Sequence, residues 1–346
     1  MDIEELVSQE TLIDEIADKL INGDVITKIQ AAREIRNMIR NRKSSGKIRA
    51  KFAGAGVIQP LVLMLSFQHN DAPEVSLLAL LNLASRNQRN KEQIVTYGAI
   101  PPLVNLLEFE NTNNLQELAV AAILSLSAAP NNKPAISDSG AIRLLIRSVS
   151  YGSVQGSVDA VTALYNLAAS KEEPIIVLDT RVTFPLFNLL KESKKYSKFA
   201  EKITGLIEMI SKSQEGILAI TNCEDGILTL VETIEDGSQV STEHAVGALL
   251  EMCVSSRSKY RELILNEGAI PGLLRLTVDG TIKARNKARL LLGLLRESTP
   301  EKRLSPTVLE KLVYEIAACI DGSEKSVQTA KILLQEGSIL HFQKIG

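Results

Sequence analysis

The sequence predicts an all-α fold, a right-handed α-solenoid superhelix in which short helical repeats stack on one another. Two strings of residues recur together along the chain at intervals of 41 to 44 residues, and such a period is typical of helical repeat arrays. Hydrophobic residues make up 45% of the chain, yet tryptophan is absent and aromatic residues reach only 4%. Leu, Ile, Val and Ala must therefore fill the core, which suits closely stacked helices.

The first recurring string marks a glycine and the helix that follows it. Its copies begin at residues 56, 98, 140, 181, 225 and 268, and Gly98-Ala-Ile-Pro-Pro-Leu-Val-Asn-Leu-Leu107 is the clearest copy. Because glycine adopts a positive φ without a steric penalty, the glycines of four copies are predicted to end a short helix in that conformation: Gly56, Gly98, Gly140 and Gly268. Arg181 and Asp225 hold the same place, and we expect different turns there, with Gly226 taking over in the second.

The second recurring string lies on a long apolar helix, the third helix of each repeat. Ala79-Leu-Leu-Asn-Leu83 and Ala163-Leu-Tyr-Asn-Leu167 are clear copies. One repeat cannot bury such a helix by itself, whereas stacked neighbours bury it continuously. We therefore predict near-complete burial for a set of third-helix side chains: Leu80, Leu83, Ile123, Leu126, Leu164, Leu167, Leu249 and Met252.

The repeats divide the chain into three parts of one continuous domain. Residues 1–44 are predicted to form N-terminal capping helices and a partial repeat, in which Ile13, Ile16 and Leu20 point inward. Residues 45–298 hold six full repeats, and residues 299–346 form a C-terminal partial capping repeat and tail. Capping is expected because the open end of a solenoid exposes core.

The two strings resemble armadillo repeats, from about Asp24 to Gly337. A period near 42, the string G-A-I-P-P-L-V-x-L-L and the string A-L-x-N-L are those of that family. The segments Asp159–Ala168 and Lys287–Glu297 look most like the armadillo region of plant U-box ubiquitin ligases. We expect no U-box in this chain, because it has neither a Cys-Pro-Ile-type start nor room outside the repeats. The resemblance implies a protein-binding scaffold.

The resemblance also implies that the third helices line a concave groove that binds a partner. If the Asn of A-L-x-N-L is position n, then positions n, n−4 and n−7 share one side of the helix, opposite the apolar side. The predicted groove residues are Arg33, Asn37, Val75, Leu78, Asn82, Leu118, Ala121, Ser125, Asp159, Thr162, Asn166, Glu201, Glu208, His244, Glu251, Asn286 and Arg289.

The predicted groove changes character along the chain. Its N-terminal end is basic and amide-bearing, its second and third repeats are apolar, its middle is polar and then acidic, and its C-terminal end is basic again. A ladder of Asn side chains can hold an extended peptide through its backbone amides, but only three of the eight ladder positions keep Asn. Import receptors pair each ladder Asn with Trp, which is absent here, so a nuclear import adaptor is disfavoured.

No catalytic or cofactor-binding constellation is found in the sequence. The histidines lie in different repeats and are expected to be isolated on the surface: His69, His244 and His341. The cysteines are far apart, which excludes a disulfide framework and a metal-ligand pair: Cys223, Cys253 and Cys319. Of these, Cys253 and Cys319 fall on apolar helical faces and are expected in the core. Gly54-Ala-Gly56 is a helix stop and not a nucleotide fingerprint, since Gln59 replaces its last glycine. We predict no enzyme, cofactor or metal site.

The sequence contains two basic clusters, each of which can be a solvated surface or a functional site. Residues 33–51 carry eight Arg and Lys side chains and are predicted to be a solvated helix end and an exposed loop. A nuclear-targeting signal and a contact with an acidic partner remain open alternatives. The second cluster is expected to be mostly solvated: Lys283, Arg285, Lys287 and Arg289.

The function predicted from these observations is a non-catalytic scaffold or adaptor whose groove binds a protein or an extended peptide. The alternative is a substrate-recognition component of a ubiquitination system that acts with a separate ligase. A net charge of −2 argues against nucleic-acid binding through global charge. The N-terminus is acidic and no apolar run approaches membrane-spanning length. We expect a cytoplasmic monomer without a membrane or small-molecule partner, and nuclear residence in addition is left open.

Overall fold

The computed structural model describes residues 3–40, 45–108, 113–168 and 180–296. The chain separates into two compact units, Met1–Asp179 (unit 1) and Thr180–Gly346 (unit 2). Within the described residues both units consist of α-helices and short 3-10 helices, without a strand, so the prediction of an all-α fold is confirmed. None of the helices described there is long and apolar enough to cross a membrane. The predicted division into caps and six full repeats stays a prediction.

Unit 1 contains a 3-10 turn at Pro130–Asn132 and eleven described α-helices. They are α1 (Ile3–Asn22), α2 (Val25–Arg40), α3 (Ser45–Gly54), α4 (Ile58–Met64), α5 (Ala72–Ala84), α6 (Gln88–Thr96), α7 (Ile100–Glu108), α8 (Asn113–Ser127), α9 (Lys133–Asp138), α10 (Ala141–Tyr151) and α11 (Val154–Ala168).

Unit 2 begins with a 3-10 turn at Thr180–Val182 and continues with eight described α-helices. They are α12 (Thr183–Glu192), α13 (Lys198–Ile210), α14 (Gln214–Thr221), α15 (Gly226–Asp236), α16 (Gln239–Ser255), α17 (Arg257–Asn266), α18 (Ala269–Asp279) and α19 (Ile282–Leu295).

Helices α6, α7 and α8 show how one repeat is built. The side chain of Asn87 caps α6 by accepting a hydrogen bond from the Asn90 N–H, which satisfies one of the donors that a helix start leaves unpaired. α6 ends shortly before Gly98, and α7 follows with two prolines in its first turn, where a missing N–H removes no intrahelical bond. α8 then packs on α7 as the long third helix.

The glycine stops are confirmed, with one correction among the copies that lack glycine. Gly56, Gly98, Gly140 and Gly268 have φ angles of 75° to 84°. Arg181 lies in a 3-10 turn, as a different turn there was predicted. The prediction for Asp225 was wrong, because Asp225 itself adopts a φ of 55° and Gly226 begins α15.

Two features explain how Asp225 can take the left-handed conformation. A short polar side chain tolerates it better than most, and Lys191 Nζ donates to the Asp225 carboxylate at 3.3 Å and to the Glu224 carbonyl at 2.9 Å. Gly226 is required for a different reason: a β-carbon there would lie 2.5 Å from the Ile220 carbonyl oxygen.

The third helices stack side by side in each unit and form the centre of the core. The contacting pairs in unit 1 are α2 with α5, α5 with α8 and α8 with α11, and those in unit 2 are α13 with α16 and α16 with α19. The predicted core is confirmed, since all eight third-helix side chains are at most 4% exposed. Ile13, Ile16 and Leu20 of α1 are buried as well.

Candidate functional site

The predicted groove residues of unit 1 lie on one side of α2, α5, α8 and α11. Except for Val75 they are exposed or half-buried, as expected of the side that faces away from the core. We call this set the unit 1 face: Arg33, Asn37, Leu78, Asn82, Leu118, Ala121, Ser125, Asp159, Thr162 and Asn166. Whether these residues bind a partner stays a prediction.

Val75 was expected on this face, and that prediction was wrong. Its side chain is only 9% exposed. α5 is flanked by α2 on one side and α8 on the other, and a short β-branched side chain between two neighbouring helices is covered by them. Leu78, one turn further along α5, is longer and remains half-buried. The apolar part of the unit 1 face therefore consists of Leu78, Leu118 and Ala121.

The ladder asparagines of unit 1 make different contacts. Asn82 Nδ2 donates to the Leu78 carbonyl at 2.7 Å, so this amide folds back onto its own helix. Asn166 Nδ2 donates to Ser127 Oγ at 3.2 Å and thereby links α11 to α8. Asn37 is exposed on α2. Side chains of the same type at the same repeat position thus differ in which polar groups they leave to a partner.

The basic cluster near the N-terminus is partly paired within the chain. Arg33 Nη2 lies 2.8 Å from Asp71 Oδ2, and Lys51 Nζ lies 2.6 Å from Glu10 Oε1. Arg49 Nε donates to the Asn82 backbone carbonyl at 2.8 Å. Residues 41–44, which complete the cluster, lie outside the described residues.

In unit 2, three charged or polar side chains from three successive third helices meet. Glu208 on α13 contacts His244 Nδ1 on α16 through Oε2 at 2.6 Å, and it accepts a hydrogen bond from Lys287 Nζ on α19 through Oε1 at 2.6 Å. Their side chains are 17%, 18% and 25% exposed, respectively. We call Glu208, His244 and Lys287 the unit 2 cluster.

The unit 2 cluster corrects two predictions. His244 was expected to be isolated on the surface and Lys287 to be solvated, but both are largely buried against Glu208. This arrangement could not be deduced from the sequence, because the three residues belong to different repeats and helix periodicity predicts only the face on which each residue lies. His69 instead accepts a hydrogen bond from the Asp71 N–H at 3.2 Å, and His341 lies outside the described residues.

The electrostatics of the unit 2 cluster favour an ionised Glu208. Burial would raise the pKa of this carboxyl group, but the hydrogen bonds from His244 and Lys287 and the charges of both partners lower the pKa below its ordinary value. Charge-assisted hydrogen bonds of this kind stabilise the anionic form. The predicted acidic sector is therefore neutralised at Glu208 by groups of the chain itself.

Other polar contacts join the same helices of unit 2. Glu201 on α13 accepts a hydrogen bond at 2.9 Å from Oγ of Ser238, the N-cap residue of α16. Within α13, Glu201 also pairs with Lys198 at 3.0 Å. Thr281 Oγ1 donates to Glu243 Oε2 at 2.6 Å and so links α19 to α16. The remaining predicted groove residues of this unit are exposed or half-buried: Glu251, Asn286 and Arg289.

The described cysteines show no activated thiol. Cys223 and Cys253 are buried and unpaired, and burial raises the pKa of Cys253 to about 11. The expectation that Cys253 is a core residue is confirmed, whereas Cys319 lies outside the described residues. Across the described part of the chain, no three His, Cys, Asp or Glu side chains gather as a metal site would require. The absence of enzymatic activity stays a prediction.

Comparisons with known proteins agree with the repeat architecture. A family model described as the plant U-box protein ARM repeat region matches residues 145–312, and one described as the armadillo/beta-catenin-like repeat matches residues 87–128. U-box domain-containing protein 17 of Arabidopsis thaliana is 38% identical over 275 residues, which are 79% of this chain and 37% of that protein. U-box domain-containing protein 45 of the same plant is 28% identical over 294 residues, 84% of this chain and 38% of that protein.

The solved structures point to the same fold. A crystal structure of an engineered protein superposes with a TM-score of 0.64 at 20% identity, covering 94% of this chain and 78% of the engineered one. The chain is an armadillo repeat protein, and its repeats are similar to those of the ARM region of plant U-box proteins. It spans less than two fifths of the length of the two plant relatives described above.

Proposed function

We propose that this armadillo scaffold binds an extended peptide or protein segment along the unit 1 face. The observation that carries the proposal is that Leu78, Leu118 and Ala121 are apolar and half-buried on the adjacent helices α5 and α8. They lie on the side of the helices opposite the core, beside polar groups. A monomeric protein seldom exposes a contiguous apolar patch unless it serves an interaction.

The polar neighbours of this patch suit an extended backbone. Asn82 uses its Nδ2 within its own helix, which leaves its side-chain oxygen to accept a peptide N–H. Ser125 and Thr162 add hydroxyl groups on α8 and α11. Peptide side chains that alternate in direction would then place every second residue on Leu78, Leu118 or Ala121. The partner segment should therefore carry apolar residues at alternate positions.

The proposal is tested with peptides selected from a random displayed library on the purified full chain. Affinities are measured by fluorescence anisotropy for the wild type, Leu78→Asp and Asn166→Ala. Leu63→Asp is the matched control, because Leu63 is 60% exposed on α4, outside the unit 1 face, and Lys194→Ala is a second control. We expect Leu78→Asp to weaken binding about tenfold or more, as the loss of a central contact does, and both controls to bind normally.

Unchanged affinity in both Leu78→Asp and Asn166→Ala would contradict the proposal, provided that circular dichroism shows intact helices. The two variants test different contacts, since Leu78→Asp removes the apolar patch and Asn166→Ala removes a polar neighbour. Equal losses in Leu78→Asp and Leu63→Asp would also contradict it, because the effect would then arise from adding a charge anywhere on unit 1.

A role in ubiquitination is the second candidate function. The observation in its favour is that the curated relatives are named U-box domain-containing proteins and align with this chain over its repeats. In this alternative, the chain recognises a substrate and a separate ligase supplies the chemistry. Purification of the full chain from plant tissue, followed by mass spectrometry, tests it. Recovery of ubiquitin-conjugating or ligase subunits with both the wild type and Leu63→Asp supports this role. Their absence from both purifications contradicts it.

A further inference from the structure

Lys287 crosses from one third helix of unit 2 to another and passes over the helix between them. Its Nζ lies 2.6 Å from Glu208 Oε1 on α13 and 3.2 Å from the Glu243 carbonyl oxygen on α16. α16 contacts both α13 and α19, so the lysine side chain lies across the middle helix of the three. An ammonium group has three donors, and two of them are used in this way.

A glycine makes room for this crossing. A β-carbon at Gly247 of α16 would lie 2.0 Å from Glu208 Oε1 and 2.9 Å from Lys287 Nζ, which is closer than atoms can approach. Glycine inside a helix is unfavourable relative to alanine, yet α16 carries it where the two charged groups meet. The absence of a side chain at position 247 therefore leaves the space in which Lys287 and Glu208 make their contact.

We propose that Lys287 is an internal occupant of an anionic site centred on Glu208, and that a cationic side chain of a partner can bind there only when Lys287 has moved away. The bound ammonium group of Lys287 itself indicates the chemistry that the site accepts. This inference concerns unit 2 and goes beyond the proposed function, which concerns the unit 1 face.

Two physical effects keep an external cation out while Lys287 is in place. Both oxygens of Glu208 are engaged, Oε2 by His244 and Oε1 by Lys287, and the charge of Lys287 repels a second cation. An occupant tethered to the chain also has a high effective concentration, so a peptide lysine at ordinary concentrations competes poorly. Removing the charge of Lys287 should free Oε1 for an external cation, while Oε2 keeps its contact with His244.

The experiment measures binding of a fluorescein-labelled hexalysine peptide to the full chain at low ionic strength. The test variant is Lys287→Met, which removes the charge and keeps an aliphatic side chain. The matched control is Lys283→Met, the same change one turn earlier on α19, where the side chain is exposed. The double variant Lys287→Met/Glu208→Gln removes the anionic site as well. We expect Lys287→Met to bind the peptide about tenfold more tightly than the wild type, the gain of one charge-assisted hydrogen bond.

Under the same proposal, Lys283→Met binds like the wild type and the double variant returns to the wild-type affinity. Equal affinities of Lys287→Met and Lys283→Met would overturn the proposal, because only the net charge would then matter. A double variant that binds as tightly as Lys287→Met would also overturn it. If circular dichroism shows that Lys287→Met has lost helix, Lys287→Gln takes its place in the same comparison. Peptide selection on the unit 1 face does not depend on any of these results, so each proposal can fail alone.

Discussion

Lys287 and Glu208 form a direct ion pair at 2.6 Å although 79 residues of sequence separate them. A separation of 79 residues in sequence spans two repeats. The ion pair therefore joins α19 to α13, although α16 is the third helix that lies next to α19. Because His244 of the intervening helix binds the other carboxylate oxygen, one acidic side chain connects three repeats. The charge of this face of unit 2 is therefore set by contacts between repeats as well as by the residues of each repeat.

The first prediction compares two helical glycines. Gly247→Ala should lower the free energy of unfolding by about 1 kcal/mol, because the new β-carbon displaces the Glu208 carboxylate from Lys287 and the loss of charge-assisted bonds exceeds the gain in helix propensity. Gly293→Ala is the control, since a β-carbon at Gly293 of α19 would meet nothing within 4 Å. It should stabilise the protein by about 0.5–1 kcal/mol. Urea denaturation followed by circular dichroism measures both, and a stabilising Gly247→Ala would contradict the prediction.

The second prediction concerns pH. The pKa of Glu208 is lowered in the folded protein, so the ionised carboxylate favours folding. Its contribution is complete above the ordinary pKa of 4.5 and is lost as the pH falls through the lower folded value. Wild type should therefore exceed Glu208→Gln in unfolding midpoint at pH 7, and the difference should shrink below about pH 4.5. A difference that is constant from pH 7 to pH 3 would show that the charge of Glu208 is not responsible.

The third prediction concerns the core. Leu164 of α11 is 0% exposed, and truncating a fully buried leucine removes hydrophobic burial and leaves a cavity. Leu164→Ala should cost about 2–5 kcal/mol of unfolding free energy. The control Val154→Ala, at the start of the same helix, removes a side chain that is 86% exposed and should change stability by less than about 0.5 kcal/mol. A cost below about 1 kcal/mol for Leu164→Ala would mean that the helix register is misassigned.

The core and the helix ends could be predicted because both depend on local sequence. A glycine such as Gly98 ends a helix through its own φ angle, and Leu164 is buried because its position in the period turns it toward neighbouring helices. The left-handed conformation of Asp225 was not predicted because residues other than glycine adopt it seldom, and its contact with Lys191, which lies 34 residues earlier in the chain, is not visible in the local sequence. The burial of Val75 was not predicted because the exposure of a side chain at the edge of a helix face depends on the neighbouring helices.

The polar contacts between repeats could not be predicted from one sequence. Helix periodicity tells on which face Glu208 and His244 lie, but it does not tell that Lys287, which is not at a groove position, reaches past α16 to Glu208. A weak signal existed at Gly247, since a glycine inside an otherwise strong helix indicates a close approach. A second signal was missed altogether: Asn90 and Asn132 recur one repeat apart, and both are buried.

The fourth prediction concerns these buried asparagines. Asn132 is 2% exposed, and its Nδ2 donates to the carbonyl oxygens of Leu126, at the end of α8, and Lys91, in the preceding repeat, both at 3.1 Å. Asn90 makes the same kind of bond to the Leu83 carbonyl at 2.9 Å. These amides bind carbonyl oxygens near the ends of α5 and α8, and Asn132 also binds one in the preceding repeat, so we expect them to stabilise the junction between repeats.

Asn132→Ala should therefore cost about 1–3 kcal/mol of unfolding free energy, since it removes two hydrogen bonds from a buried site, one of which joins two repeats. Asn131→Ala is a close control, because Asn131 lies in the same 3-10 turn but is exposed and bonds only to the Glu92 side chain at 3.0 Å. That change should cost less than about 0.5 kcal/mol. Hydrogen exchange at the end of α8 provides a second measurement, and protection there should fall in Asn132→Ala only. Equal costs for the two neighbouring asparagines would show that burial of the amide does not govern the stability of this junction.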